Sequence, residues 1–199
     1  MHFIIASDER PNGWVRISDA NHWQEWLNLN VPADIHHNVR QTLISNLKHI
    51  LVGLELKKSL ILPHAQTAPG MNGVLFEPYF QTLIFEFCVG VFSVLEGLGA
   101  SHWLSQIGQD GFNNPRVHRN NWRSALCAVY DPAGAHELSA AIQQAINIRD
   151  RLHQDRIGAR ANIDWHALGY QSAFIPANLA ISILLHRNAD IVPVQSNLT

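Results

Sequence analysis

The feature that most constrains the fold is an apolar stretch at residues 79–98, which approaches the length of a membrane span. Glu86 and Glu96 lie inside it, and a carboxylate at bilayer depth is costly. A helix buried in the core of a helical protein accommodates the same apolar pattern without that cost. The stretch therefore predicts a central core helix in a soluble protein.

The composition agrees with one packed domain. A chain of 199 residues allows one domain or two very small ones, and 47% hydrophobic residues are enough for a core. The formal net charge is −2 with histidine neutral, which excludes a polybasic coat. Any contact with a nucleic acid must therefore use a local basic patch.

The cysteines and the N-terminus indicate a cytoplasmic protein. Cys88 and Cys127 are far apart in the sequence and both lie among apolar residues, so they predict neither a disulfide framework nor a cysteine zinc site. The first ten residues lack the basic region of a signal peptide, and their apolar run is too short for one. We therefore expect a reducing compartment.

The hydrophobic periodicity predicts an all-α protein with a small β element at the N-terminus. Two β-prone runs, residues 3–5 and 14–17, flank the turn formers Pro11, Asn12 and Gly13, which favours a β-hairpin over residues 1–18. Asp131 and Pro132 are a typical helix start. Helices are expected at residues 21–29, 34–58, 77–98, 122–129, 132–156 and 164–187, with a separate turn at 100–107, loops at 63–73 and 108–121, and an extended, peripheral tail at 190–199.

These elements predict a single domain over residues 1–199, in which residues 34–187 form an antiparallel helical bundle. An irregular all-α domain is the alternative. The sequence holds no phosphate loop, dinucleotide fingerprint or nucleophile elbow. No two of its 12 histidines stand three or four residues apart, so no helix presents a histidine pair to one metal ion. We expect neither a metal nor a cofactor.

The residues around position 150 are the best candidates for a functional site. On a helical wheel Arg149 falls inside an apolar stripe of Leu138, Ile142, Ala145 and Leu152, and His153 shares that face. A guanidinium in a core-facing stripe is costly unless it is paired or faces a polar cleft. Glu86 and Glu96 are the candidate partners inside the bundle. A structural bridge and a functional cleft both remain open.

The apolar helix also has a face of small residues. Glu86, Gly90, Ser93 and Gly97 follow one another at helical spacing. Small side chains allow another helix to approach closely. That helix can come from the same chain or from a partner subunit.

The segment Arg149-Asp150-Arg151-Leu152-His153 resembles the Arg-polar-x-x-x-His signature of HEPN domains (higher eukaryotes and prokaryotes nucleotide-binding). The helix order over residues 34–187 is also similar to that family. The family pattern usually places four to six residues between the arginine and the histidine, whereas this sequence has three. The resemblance implies a helical bundle, often a homodimer, and many such proteins are metal-independent endoribonucleases with toxin or defence roles, which an antitoxin protein can regulate.

The resemblance implies a role for each residue. His153 would be the general acid/base and Arg149 the phosphate clamp, while Asp150 would orient one of them or bond the helix backbone. A basic rim for RNA would come from Arg151, Arg156 and Arg160. A second group, Arg116, His118, Arg119 and Arg123, could extend that rim, although we expect it to be an ordinary solvated loop.

Two other functions stay open. A non-catalytic HEPN-like module would bind a nucleotide, RNA or protein without cleaving anything, and the shortened spacing favours it. A plain homodimerising scaffold is the third interpretation, which six tryptophans support slightly because exposed tryptophan marks interfaces. Trp103 and Trp165 are equally compatible with a core position.

Overall fold

The structure is a computed structural model that describes residues 2–4, 14–16, 18, 20–66, 77–113, 115–150, 168–188, 190–191 and 196–198. Six α-helices account for most of this part of the chain. They are α1 (Ala20–Asn30), α2 (His37–Gln66), α3 (Glu77–Gln106), α4 (Arg119–Tyr130), α5 (Leu138–Asp150) and α6 (Ile175–His186). For the described residues, these helices confirm the prediction of an all-α protein.

Two short strands precede the helices. β1 (His2–Ile4) and β2 (Trp14–Arg16) pair antiparallel, with Phe3 opposite Val15. Residues 5–13 lie outside the described residues, and so does Ile17. The turn that Pro11, Asn12 and Gly13 would form therefore stays a prediction.

Helix α3 is the centre of the fold. It packs against α2, α4, α5 and α6, and its buried residues include Phe87, Val91 and Leu95. Phe80–Gln106 is long and apolar enough to cross a membrane by composition, but 56% of its most apolar window is buried inside the fold. A core helix has these properties, so one such helix is weak evidence for a membrane location.

Helix α3 does not break at Gly99, where the sequence predicted a separate turn. A Cβ atom at Gly99 would lie 2.6 Å from the carbonyl oxygen of Trp122, so the glycine permits α4 to pack closely against α3. Helix α2 likewise runs past the predicted end at residue 58, because Ile61 is fully buried in the core. In both cases tertiary packing outweighs local helix propensity.

The start of α5 differs from the prediction. Residues 132–137 form turns rather than the first turns of a helix. The Asp131 carboxylate accepts hydrogen bonds from the backbone N–H groups of His136 and Leu138, both at 3.1 Å. It therefore caps a helix that begins at Leu138, with Gly134 at a φ of 66° and Glu137 at a φ of 58° between.

Near the C-terminus, a π-helical segment at Tyr170–Phe174 leads directly into α6, and Pro176 stands in the first turn of that helix. Proline suits this position because the first N–H groups of a helix have no partner within it. Residues 164–167 of the predicted last helix lie outside the described residues.

A buried polar cluster on α2 binds Ser18, just before α1, and Asn197 near the C-terminus. Glu55, 1% exposed, accepts hydrogen bonds from the backbone N–H and hydroxyl of Ser18 and from Trp23 Nε1. Asn197 donates to the Glu55 carbonyl at 3.1 Å and to the Ser59 hydroxyl. The prediction of a peripheral tail is therefore wrong for residues 196–198, where Leu198 is fully buried.

Candidate functional site

Arg149 lies at the described end of α5, at the edge of the core. The apolar stripe predicted for this helix is present, since Leu138, Ile142 and Ala145 are buried. One turn beyond Ala145, the Arg149 guanidinium lies over the ring of Phe92 in α3, 5.2 Å from its centroid. Its side chain is 30% exposed. The side chain is thus only partly exposed, and its cation packs on an aromatic ring.

Asp150 joins two arginines from different helices. Arg119 of α4 donates to both carboxylate oxygens of Asp150, at 2.8 and 3.0 Å. Arg149 Nη1 donates to Asp150 Oδ1 at 3.2 Å. Partial burial raises the pKa of Asp150, but hydrogen bonds and charge from the two arginines outweigh it and hold that pKa below its ordinary value. The carboxylate is therefore ionised at neutral pH.

A third arginine extends this arrangement along α4. Arg123 Nη1 donates to Gln143 Oε1 at 2.6 Å, and its Nη2 lies 3.4 Å from the Ser139 carbonyl oxygen. Arg119 lies in α4 rather than in the predicted loop, whereas Arg123 lies in the helix predicted at 122–129. Both bond across to α5, so the prediction of an ordinary solvated patch is wrong for them. Arg116 and His118 stand exposed in the segment before α4, as expected.

We use the name arginine face for Arg119, Arg123, Arg149 and Asp150 together. Its formal charge is +2, on a chain whose total is −2. The side chains of Arg119 and Asp150 are 43% and 38% exposed. The face can therefore attract an anion from solvent, although the net charge of the whole chain is negative.

Neither carboxylate proposed as an internal partner of Arg149 takes that position. The Glu86 side chain is 54% exposed and pairs with Lys57 at 3.7 Å. Glu96 is exposed, and among the described residues it forms no ion pair. The alternative in which one of them neutralises Arg149 inside the bundle is therefore wrong. Helix α3 turns both charges toward solvent and keeps its apolar residues in the core.

The small-residue face of α3 receives α2 of the same chain. A Cβ atom at Gly90 would lie 2.9 Å from Leu54 Cδ2, and one at Gly97 would lie 3.1 Å from Leu43 Cδ1. The predicted close approach of a helix is confirmed. Its partner is α2 rather than a second subunit.

Four predicted site residues lie outside the described residues. They are His153, Arg151, Arg156 and Arg160. Trp165 is also outside. Within the described ranges, the three fully buried tryptophans are Trp23, Trp26 and Trp122, and Trp103 is half-buried. These four tryptophans therefore give no support to an exposed aromatic interface.

Within the same ranges, no group of three or more histidine, cysteine, aspartate or glutamate side chains is arranged to hold a metal ion. From the sequence, Arg119 and Arg123 were candidates only for an extension of the rim, and the pairing of Arg119 with Asp150 was not predicted. Arg119 and Asp150 stand 31 residues apart, and no local pattern marks such a pair. The only available signal was the run of arginines at 116, 119 and 123.

Comparison of the chain with protein-family models, with curated proteins and with solved structures finds no match. The HEPN resemblance rests on the segment from Arg149 to His153 and on the order of the helices. It stays a prediction.

Proposed function

We propose that this chain is a HEPN-like, metal-independent endoribonuclease in which Arg149 holds the scissile phosphate and His153 moves the proton. One observation carries the proposal. Arg149 is not neutralised by a buried carboxylate; its side chain is 30% exposed and shares the partly exposed Asp150 with Arg119. An arginine placed this way is available to an anionic ligand.

The chemistry requires few groups because RNA supplies its own nucleophile. Removal of the proton from a 2′-OH lets that oxygen attack the adjacent phosphorus, and protonation of the 5′-oxygen releases it as the leaving group. The bond cleaved is P–O5′, and the product is a 2′,3′-cyclic phosphate. A histidine with a pKa near the unperturbed value of about 6.5 can move protons at neutral pH. An arginine stabilises the charge that develops on the phosphate oxygens.

The arginine face supports phosphate binding through its unused donors. A guanidinium has about five N–H donors, and Arg149 uses one of them on Asp150 among the described residues. We propose Arg151, Arg156 and Arg160 as a further basic rim, and Arg119 and Arg123 as its extension along α4. In the proposed homodimer, two copies of the motif face one shared groove. A toxin or defence role, with a protein antitoxin as regulator, belongs to the same proposal.

The test is incubation of the purified chain with labelled RNA in EDTA. We expect cleavage by the wild type that leaves 2′,3′-cyclic ends, and none by His153→Ala. His22→Ala, an exposed histidine on α1, is the matched control and should cleave normally. Arg149→Lys keeps the positive charge but cannot donate two parallel hydrogen bonds to a phosphate, so the cleavage rate of this variant should fall. Equal cleavage by wild type and His153→Ala would overturn the assignment of His153.

A second candidate is a non-catalytic module that binds RNA or a nucleotide, and one observation favours it. Arg149 already pairs with the neighbouring Asp150, which reduces its availability to a reacting phosphate. Only three residues separate it from His153 in the sequence. This candidate predicts saturable RNA binding that Arg149→Gln weakens and high salt reduces, with no cleavage of any RNA.

A further inference from the structure

A cavity of about 630 Å³ lies between the turn that precedes α5 and the C-terminal half of α6. Its volume is within the range of small-molecule sites. The residues that line it include Tyr130, His136, Glu137, Leu179, His186 and Arg187. None of these belongs to the arginine face. The cavity therefore raises a question separate from RNA binding.

The Arg187 guanidinium is held in place at the cavity wall. Its Nη1 donates to the Val129 carbonyl oxygen at 3.1 Å, and its Cζ lies over the Tyr130 ring, 5.2 Å from the centroid. Among the described residues it forms no ion pair, so its charge is not neutralised there. A guanidinium with a fixed position and unused donors is suited to a carboxylate or a phosphate.

The polar groups behind Arg187 are hydrogen-bonded to one another. Tyr130 is 7% exposed, and its hydroxyl donates to Asn30 Oδ1 at 3.2 Å. Asn188 Nδ2 donates to the same oxygen at 3.0 Å. Tyr130 therefore cannot turn away without breaking this network. The cation above its ring gains a fixed aromatic platform.

His186 adds a second polar group whose orientation can be assigned. Its Nδ1 lies 2.6 Å from the Ser182 carbonyl oxygen. A carbonyl only accepts, so Nδ1 carries the proton, and Nε2 is left for other partners. In this tautomer Nε2 is an acceptor, which can bond a hydroxyl or amine of a ligand in the cavity.

The backbone of the opposite wall is strained at Glu137. Its φ of 58° is in the left-handed region, where side chains other than glycine are uncommon. The residues on either side of it are both fixed, because Asp131 accepts from the N–H groups of His136 and Leu138. Strained residues that their surroundings impose are concentrated at binding and catalytic sites. Here the strain places Glu137 on the wall of the cavity.

We propose that this cavity binds a small organic anion, whose carboxylate or phosphate group pairs with Arg187. The apolar body of the ligand would lie on Leu179 and Ile183, which are 41% and 8% exposed. Glu137 would accept a hydrogen bond from a hydroxyl or amine on the ligand and would disfavour anions that lack such a donor. This site is independent of the proposed nuclease function.

The test is an NMR titration of the full chain with three probes. Salicylate and 2-hydroxyphenyl phosphate carry an anion, an apolar ring and a hydroxyl, whereas phenol lacks the anion. We expect at least one of the two anions to give saturable shifts of the His136 and His186 ring signals, and phenol to give none. The anion that binds more tightly identifies the preferred group. Absence of saturable shifts with both anions up to about 10 mM would overturn the proposal.

Variants locate the binding. Arg187→Gln should weaken binding of the preferred anion by about tenfold or more, whereas Lys48→Gln, which removes a cation of α2 outside the cavity, should not change it. Arg187→Gln also removes the contact with Tyr130. Leu179→Glu is therefore a second variant, which places a repelling carboxylate at an exposed position and should abolish binding in a folded protein. Wild-type affinity in a folded Leu179→Glu variant would exclude this cavity as the site.

Discussion

Arg119 and Asp150 form a bidentate ion pair between α4 and α5, with N–H donors at 2.8 and 3.0 Å from the two carboxylate oxygens. Asp150 also accepts from Arg149 on the same helix. One carboxylate thus holds two guanidinium groups side by side, where they would otherwise repel each other. The pair fixes Arg149 beside a second cation at a partly exposed position.

The first prediction concerns Asp150→Asn. The substitution removes the negative charge that competes with a phosphate for both arginines, so RNA affinity should rise several-fold at low salt. Exposed ion pairs contribute about 0–1 kcal/mol, and the free energy of unfolding should fall by no more than about that amount. Fluorescence anisotropy with a labelled single-stranded RNA at about 50 and 200 mM salt measures the effect, because phosphate contacts weaken steeply over that range.

Glu25→Gln is the matched control for Asp150→Asn. It removes one negative charge from an exposed position on α1, away from the arginine face, and should leave RNA affinity unchanged. A loss of affinity in Asp150→Asn would contradict the prediction. It would show that Asp150 positions the arginines for RNA rather than competing with it.

The second prediction concerns Gly99→Ala. A Cβ atom at this position would lie 2.6 Å from the Trp122 carbonyl oxygen and 3.0 Å from Trp122 Cε3. Backbone cannot move aside as a flexible side chain can, so α3 and α4 must separate. We expect a loss of about 1–3 kcal/mol in the free energy of unfolding, as in other overpacked cores. Urea denaturation measures it.

The same substitution at Gly53 is the control. The nearest atom to a Cβ there is Lys57 Nζ at 3.7 Å, an ordinary contact with the end of a flexible side chain. Alanine in a helix interior is better than glycine by about 0.5–1 kcal/mol, so Gly53→Ala should be stabilising. Equal effects at the two positions would show that the approach of α4 to α3 does not require a glycine.

The sequence was sufficient for elements whose pattern is continuous and local. Helix α3 was predictable because its apolar residues extend over many turns, and α4 because it starts after a polar loop. The start of α5 was not. Asp131 followed by Pro132 is typical of a helix start, but the Asp131 carboxylate instead bonds forward to Leu138, seven residues away. Rules based on local helix propensity do not take this side-chain hydrogen bond into account.

The candidate site was predictable only in part, for the same reason. The spacing of α5 identified Arg149 as an arginine at the edge of an apolar stripe. Its actual neighbours, Phe92 and the pair of Asp150 with Arg119, come from two other helices. Their positions depend on how α3, α4 and α5 pack. Glu86 and Glu96 were the predicted partners of Arg149 because they interrupt an apolar run. In the folded chain, the packing of α3 leaves both side chains exposed to solvent.

The third prediction concerns Lys58, which is 6% exposed and forms no ion pair with any residue that the structure describes. Burial lowers the pKa of Lys58 from 10.5 to about 8. The charged amine therefore opposes folding below pH 8, and this cost is relieved as the pH rises from 8 to 10.5. Lys58→Met should raise the free energy of unfolding by about 1–3 kcal/mol at neutral pH.

The difference between Lys58→Met and the wild type isolates this group from others that titrate at alkaline pH. It should be larger at about pH 7 than at about pH 9.5. Lys57→Met is the control, because Lys57 is more exposed and pairs with Glu86. A Lys58→Met protein less stable than the wild type at neutral pH would indicate that the amine has a role in the fold that burial alone does not explain.

The fourth prediction is a loss of stability in mild acid that originates at His102. Burial, followed by the charge of Arg187, lowers the pKa of His102 from 6.5 to about 4, against smaller opposing effects of an Asn30 backbone hydrogen bond and Asp34. The unfolded chain therefore binds more protons than the folded one between these values. The contribution of neutral His102 to the free energy of unfolding is fully present above pH 6.5, and it is lost as the pH falls toward 4. His102 is half-buried, so we expect a loss of about 1–2 kcal/mol from it.

His102→Gln tests this assignment, since glutamine is neutral throughout and can still bond the Tyr130 hydroxyl, which lies 3.5 Å from His102 Nε2. Urea denaturation at several values between pH 7 and pH 4.5 should give a shallower decline for His102→Gln than for the wild type. His22→Gln, at an exposed position of α1, should keep the wild-type slope. An unchanged slope in His102→Gln would assign the acid sensitivity to other groups, because a neutral side chain cannot take up the proton that unfolding requires.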